Sequence, residues 1–212
     1  METNLEMNNE TQREEIYPGQ EIILCGYLGL EGMFTIWQET KEELVKHFSQ
    51  SFLNSVEELR ALQMPINCMT DCTALLKERE IHIAGSYPLG KGGIWAALWK
   101  LAEEAEVGLK VDLAQMLLKQ ETIEICEYYR LNPYRLTSTG CFLLVINEGD
   151  NLLKELESMG IKGSKIGHII EEKKKRVKGK EETRFIGHRN PDELERWRLE
   201  KGVYEDVKCS TI

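Results

Sequence analysis

Apolar and polar residues recur along this chain with changing period, and each change marks an element. Glu21-Ile22-Ile23-Leu24-Cys25-Gly26-Tyr27 is a short apolar run that predicts a buried strand, ended by Gly26 and Gly29. A short helix is expected over residues 32–38. A longer helical region is expected over 41–63, where Leu44, Val45, Phe48, Phe52, Val56 and Leu59 recur at helical spacing. Ser49 and Asn54 are the places where it could break, and Met64-Pro65 ends it, because proline disfavours helix in the residue before it. Thr70 or Asp71 is expected to cap a further helix running through Leu76. Ile81-His82-Ile83-Ala84-Gly85 alternates and predicts a strand.

The second half opens with Gly92-Gly93, followed by Ile94, Ala97, Leu98, Leu101, Ala102 and Ala105 on one helical stripe. Trp95 and Trp99 lie along one flank of that stripe and are read as core or interface rather than as a surface for ligand stacking. A strand is predicted over 109–113, a helix over 121–130 ended by Asn132-Pro133, and a strand over 141–146, the most strand-like run in the chain. A helix over 150–159 with Gly160 as its C-cap, a strand over 165–170 and a weak hairpin around Arg176 and Phe185 follow. Asn190-Pro191-Asp192-Glu193 predicts a last helix, with Asn190 as cap, Pro191 at N1 and Glu193 at N3. Strands and helices interleave without a strict βαβ rhythm. The expected class is α+β, a mixed β-sheet covered by helices. The expected organisation is a disordered polar leader over 1–16, one domain over 17–188, and a C-terminal helix and tail over 189–212.

Composition narrows the function. The chain has 212 residues, 42% of them hydrophobic and 30% charged, as in ordinary globular domains. A net charge of −9 argues against nucleic-acid binding, which needs clustered Lys and Arg. The one basic run, Lys173-Lys174-Lys175-Arg176, lies between acidic pairs and is read as a solvated hairpin arm. No apolar run reaches the roughly 20 residues of a membrane helix, and the N-terminus is acidic and polar. A cytoplasmic protein with six reduced cysteines is expected.

Two segments could carry chemistry. Gly90, Lys91, Gly92 and Gly93 could form an anion cradle at a helix start with Lys91 as counter-charge, or only a tight strand-to-helix turn. Thr137, Ser138, Thr139 and Gly140 could hold a phosphate or carboxylate through hydroxyl and backbone donors, or be a polar turn. Cys68 and Cys72 form a single C-x3-C, too few ligands for a zinc site, and His47, His82, His168 and His188 are scattered. No metal site and no catalytic residue are assigned.

Longer runs carry a family resemblance. Tyr17-Pro18-Gly19-Gln20-Glu21, Leu28-Gly29-Leu30-Glu31-Gly32, Gln120-Glu121-Thr122-Ile123-Glu124-Ile125-Cys126 and Leu131-Asn132-Pro133-Tyr134-Arg135-Leu136 resemble the C-terminal domain of the aminoimidazole-ribonucleotide (AIR) synthetase family. The AIR-synthase-related proteins grouped with hydrogenase maturation factors are the branch they are most similar to. The resemblance implies descent from ATP-dependent enzymes that activate an amide or acyl oxygen by phosphorylation. In these an N-terminal domain supplies most nucleotide and magnesium ligands, and the C-terminal domain closes the groove. Two departures stand out. Only about 17 residues precede Pro18, so that N-terminal domain is expected to be absent. Pro88 falls where the family carries an Asp, and Lys91 replaces an acid, which removes a hard-oxygen ligand or base.

Two functions follow from the resemblance. One is a C-terminal domain that is not catalytically self-sufficient, uses no cofactor alone, and binds a small phosphorylated ligand or a partner. Self-association or a separate N-terminal ATP-binding domain is then expected. The other is one half of a split ATP-dependent enzyme, using ATP and Mg together with that partner domain.

Overall fold

Side chains alternate across the central strand, and that alternation organises the molecule. In the computed structural model, which describes residues 15–187 and 191–202, β1 (Glu21–Cys25) sends Ile22 and Leu24 to one face and Ile23 and Cys25 to the other. The strand β4 (Phe142–Ile146) pairs with it antiparallel, Ile23 opposite Leu144 and Leu24 opposite Leu143, and divides its residues the same way. Both strands are buried on both faces, which is why their sequences read as unbroken apolar runs.

The remaining strands are β2 (Gly85–Pro88), β3 (Gly108–Asp112), β5 (Gly163–Ile170), β6 (Lys175–Lys178) and β7 (Thr183–Phe185). They complete a seven-stranded sheet in the order β2-β4-β1-β5-β3-β6-β7. All neighbours are antiparallel except β3 and β6. The sheet is mixed and helices cover it, so the α+β reading is correct.

The α-helices among the described residues are α1 (Leu30–His47), α2 (Gln50–Glu58), α3 (Cys68–Glu78), α4 (Gly93–Glu104), α5 (Gln120–Tyr128), α6 (Gly149–Ser158) and α7 (Glu193–Glu200). The stripe of α4 (Ile94, Ala97, Leu98, Leu101, Ala102) packs on the face that carries Ile22 and Leu24. On the opposite face lie Cys72 and Leu76 of α3 and Leu152 and Leu156 of α6. A third cluster joins α1, α2, α5 and α7 through Trp37, Leu44, Leu53, Val56, Ile125, Leu194 and Trp197.

Local departures from expectation have physical causes. The helices expected over 32–38 and 41–63 are α1 and α2, continuous across 39–40 and broken at Ser49, one of the two expected places, with a 3-10 turn over Leu59–Leu62 after them. The helix α1 runs through residue 40 with a kink, where Thr40 leaves helical geometry (φ −132°, ψ 20°) and its hydroxyl donates to the Ile36 carbonyl. The break falls at Ser49, whose hydroxyl accepts from the Phe52 amide and caps α2. Neither Thr70 nor Asp71 caps α3, which begins at Cys68 after Asn67. Asp71 lies in its first turn and accepts from the Asn67 side-chain amide.

The strand expected over 81–85 begins only at Gly85, because β2 takes its register from β4, with Gly85 opposite Val145 and Pro88 opposite Phe142. Pro88 is tolerated there because β2 is an edge strand. The last helix starts two residues later than predicted, with Asp192 as its cap. Asn190 and most of the expected leader and tail lie outside the described residues. Ile16, assigned to the leader by its sequence, packs against the α4 side of the core.

The basic run is laced with acids. Lys173 pairs with Glu106, Lys175 with Glu103, and Lys174 and Arg176 with Glu172. No described helix is long and apolar enough to cross a membrane.

Candidate functional site

The turn at 90–93 connects β2 to α4, and the turn at 137–140 leads into β4 beside it. They are neighbours because β2 and β4 pair in the sheet. The Gly90 carbonyl accepts from the Ser138 amide (3.2 Å) and from the Gly93 amide (3.1 Å). All eight residues singled out in the sequence therefore lie in two adjoining turns.

The glycines are there for backbone reasons. Gly92, the residue before α4, has φ 80°, and Gly93 has φ 57°. A Cβ on Gly93 would lie 2.5 Å from the Tyr134 carbonyl oxygen and 2.8 Å from that of Leu136. Only glycine lets the helix start against this backbone.

The cradle formed by these turns holds an anion supplied by the chain itself. The Asp192 carboxylate, 4% exposed, accepts from the Gly92 amide at 2.7 Å and from the Thr137 hydroxyl at 2.9 Å. It also accepts from the Leu194 and Glu195 amides at 2.9 and 3.1 Å, as the cap of α7. Donors from the α4 N-terminus, the 137–140 turn and the first turn of α7 thus converge on one buried carboxylate. This is the arrangement by which helix N-termini bind anions. Lys91 is exposed and pairs with Glu195, on the same turn of α7.

The other candidates have internal partners. The Ser138 hydroxyl accepts from the Gly29 amide and donates to the Leu136 carbonyl. The Thr139 amide donates to Glu31. Gly140 has φ 91°, and a Cβ there would lie 2.2 Å from the Met64 carbonyl oxygen.

Several contacts hold α7 over the cradle. Leu194 and Trp197 are buried in the α1–α2–α5 cluster. Arg196 pairs with Glu193 and Glu200 and donates to the Arg130 carbonyl. Arg198 and Lys201 pair with Glu39 and Glu43 of α1. Most of these pairs are partly exposed and orient the helix more than they stabilise it, whereas Glu193 is buried and held by Arg196.

Asp192 is the residue that the sequence reading missed as part of the site. Its signal was present: Asp192-Glu193-Leu194-Glu195 has the D-x-x-E form of a capping box.

Among the described residues, no three His, Cys, Asp or Glu side chains gather where they could hold a metal ion. Cys68 and Cys72 both belong to α3. Burial pushes the Cys72 thiol up to about 11, and those of Cys126 and Cys141 to about 12.

Comparison with known proteins fits this fold. The curated carbamoyl dehydratase HypE of Rhizobium leguminosarum bv. viciae is 29% identical over 157 residues, 72% of this chain and 41% of that protein. The crystal structure of Escherichia coli HypE, a hydrogenase maturation protein, superposes with a TM-score of 0.68 at 18% identity. It covers 87% of this chain and 54% of its own. A HypE crystallised in complex with ATP gives a TM-score of 0.65 at 13% identity, over 85% of this chain and 54% of that one. The chain thus spans about half the length of the proteins it matches, or less. The family model described as "AIR synthase related protein, C-terminal domain" matches residues 17–180, and the chain belongs to that family.

Proposed function

We propose that this chain works as a ligand- or partner-binding domain of the AIR-synthase-related type, and that it does not carry out ATP-dependent chemistry alone. The observation that supports this reading is the Asp192 carboxylate in the cradle. It engages the Gly92 amide and the Thr137 hydroxyl, two donors that a phosphate would need. A phosphate brought to the same place would meet a buried like charge. A phosphate therefore does not fit on these donors with α7 in place, and no phosphoryl step is derived from these residues. Pro88 and Lys91, where the family resemblance expects acids, point the same way.

Purified chain incubated with ATP and magnesium tests this reading. No phosphate release is expected. Sustained turnover by the chain alone would overturn it.

A second reading has one observation in its favour. The glycine turn and the hydroxyl turn adjoin, as a phosphate-facing bend requires, and the fold is that of a HypE crystallised with ATP. On this reading the chain is the C-terminal half of a split ATP-dependent enzyme. A separately encoded N-terminal ATP-binding domain would supply the nucleotide ligands. Turnover that arises only on adding such a domain would establish it, and none in that mixture would eliminate it.

A further inference from the structure

We propose that the cavity between α4 and the β6–β7 hairpin binds a planar aromatic ring that carries a carboxylate or phosphate. The cavity adjoins the Asp192 cradle, because Gly92 lines both, but the inference does not depend on the reading given for the cradle. The cavity has a volume of about 290 Å³, near the small end of the range for ligand pockets. Its walls are aromatic: Trp95 and Trp99 from successive turns of α4, Tyr134 from the 3-10 turn Pro133–Arg135, and Phe185 from β7. The Trp95 and Tyr134 rings lie 5.2 Å apart, tilted by 34°, so they form a continuous π-surface. Phe185 is 65% exposed at the cavity edge. A large ring held in water beside a cavity gains by covering a ligand.

The second observation is a cation without a counter-charge among the described residues. Arg135 lines the same cavity, and its Nε is buried with no hydrogen-bond partner. No carboxylate among the described residues forms an ion pair with it. The neighbouring Arg184 differs, because Glu182 holds it. A guanidinium without a carboxylate partner leaves its charge open to an incoming anion. The two features together set the ligand class. A neutral ring would leave Arg135 unsatisfied, and an anion without a ring would leave the aromatic walls wet.

Calorimetric and tryptophan-fluorescence titrations of the full chain test the proposal with four probes. Benzoate and phenyl phosphate carry ring and charge, benzamide carries only the ring, and inorganic phosphate only the charge. Saturable binding is expected for at least one of the first two, roughly tenfold or more tighter than for either control. Which of the two binds better distinguishes a carboxylate from a phosphate ligand. Arg135→Gln and Trp95→Leu should each weaken that binding by about tenfold or more. Three results would overturn the proposal: no saturable binding of either ring anion, equal affinity for benzamide, or displacement of the ring anion by equimolar inorganic phosphate. These three comparisons use only the wild-type chain, so a variant that misfolds cannot mask the outcome.

Discussion

Gly92 and Asp192 stand one hundred positions apart in the chain, yet the backbone N–H of the first donates to the carboxylate of the second across 2.7 Å. One bond joins the start of α4 to the start of α7 and closes the cradle formed by the two turns. Asp192→Ala removes the α7 cap and leaves buried donors unpaired. A loss of about 3 kcal/mol is expected, a fall in Tm on the order of 10 °C. Added inorganic phosphate should then raise the Tm of the variant more than that of the wild type, because the vacated donors regain an anion. Scanning calorimetry with and without phosphate checks both effects, and equal phosphate shifts would show that the cradle does not accept external anions.

Trp197 anchors α7 in the α1–α2–α5 cluster. Trp197→Ala should cost about 3–5 kcal/mol and act locally first. Hydrogen exchange is expected to accelerate in α7 and at the Gly92 amide while β1 and β4 stay protected. Uniform acceleration across the sheet would mean that α7 is not an independently opening unit.

Gly93 combines a left-handed φ with two carbonyl oxygens that would lie 2.5 and 2.8 Å from any β-carbon placed on it. Gly93→Ala should destabilise by on the order of 3 kcal/mol, whereas Gly90→Ala, which meets nothing within 4 Å, should stay within about 0.5 kcal/mol. Urea denaturation of the two variants separates a packing constraint from a general need for glycine in this turn.

The buried thiols predict a pH dependence. The folded-state values of Cys72, Cys126 and Cys141 are raised from 9.0 to about 11 or 12, so between pH 9 and those values the unfolded chain loses protons that the folded chain keeps. Stability is therefore complete below pH 9 and falls as pH rises toward 12. Tyr129, raised from 10.0 to about 12, acts in the same direction. The urea midpoint should drop between pH 8.5 and about 10.5, with a shallower slope in Cys126→Ala. At pH 8 these three thiols should resist labelling until the protein is unfolded, as mass-spectrometric mapping would show.

Much of this architecture could be read from residue order because burial wrote it there. The runs around Ile22–Leu24 and Leu143–Val145 are apolar at every position since both sheet faces are covered. The stripe of α4 repeats at helical spacing because only one of its sides meets the sheet. Register was less legible. The alternation at 81–85 looks like a strand, but hydrogen bonding with β4 begins at Gly85, and no local pattern encodes the partner. The candidate site was legible in the same partial way. Glycines and hydroxyls identified both turns. Spacing shows Asp192 as a helix cap, but its contact with Gly92 and the place of Arg135 in the cavity wall come from tertiary structure, which spacing does not encode.

Pro88 sits at the end of β2, which pairs with β4 on one side and with no other strand among the described residues. Proline has no amide hydrogen, and the strand is four residues long. Its other side is a poor template for a foreign β-segment, which limits fibril-like stacking of one molecule on the next. Any assembly this protein enters at that border must then be specified by side chains rather than by shared main-chain ladders.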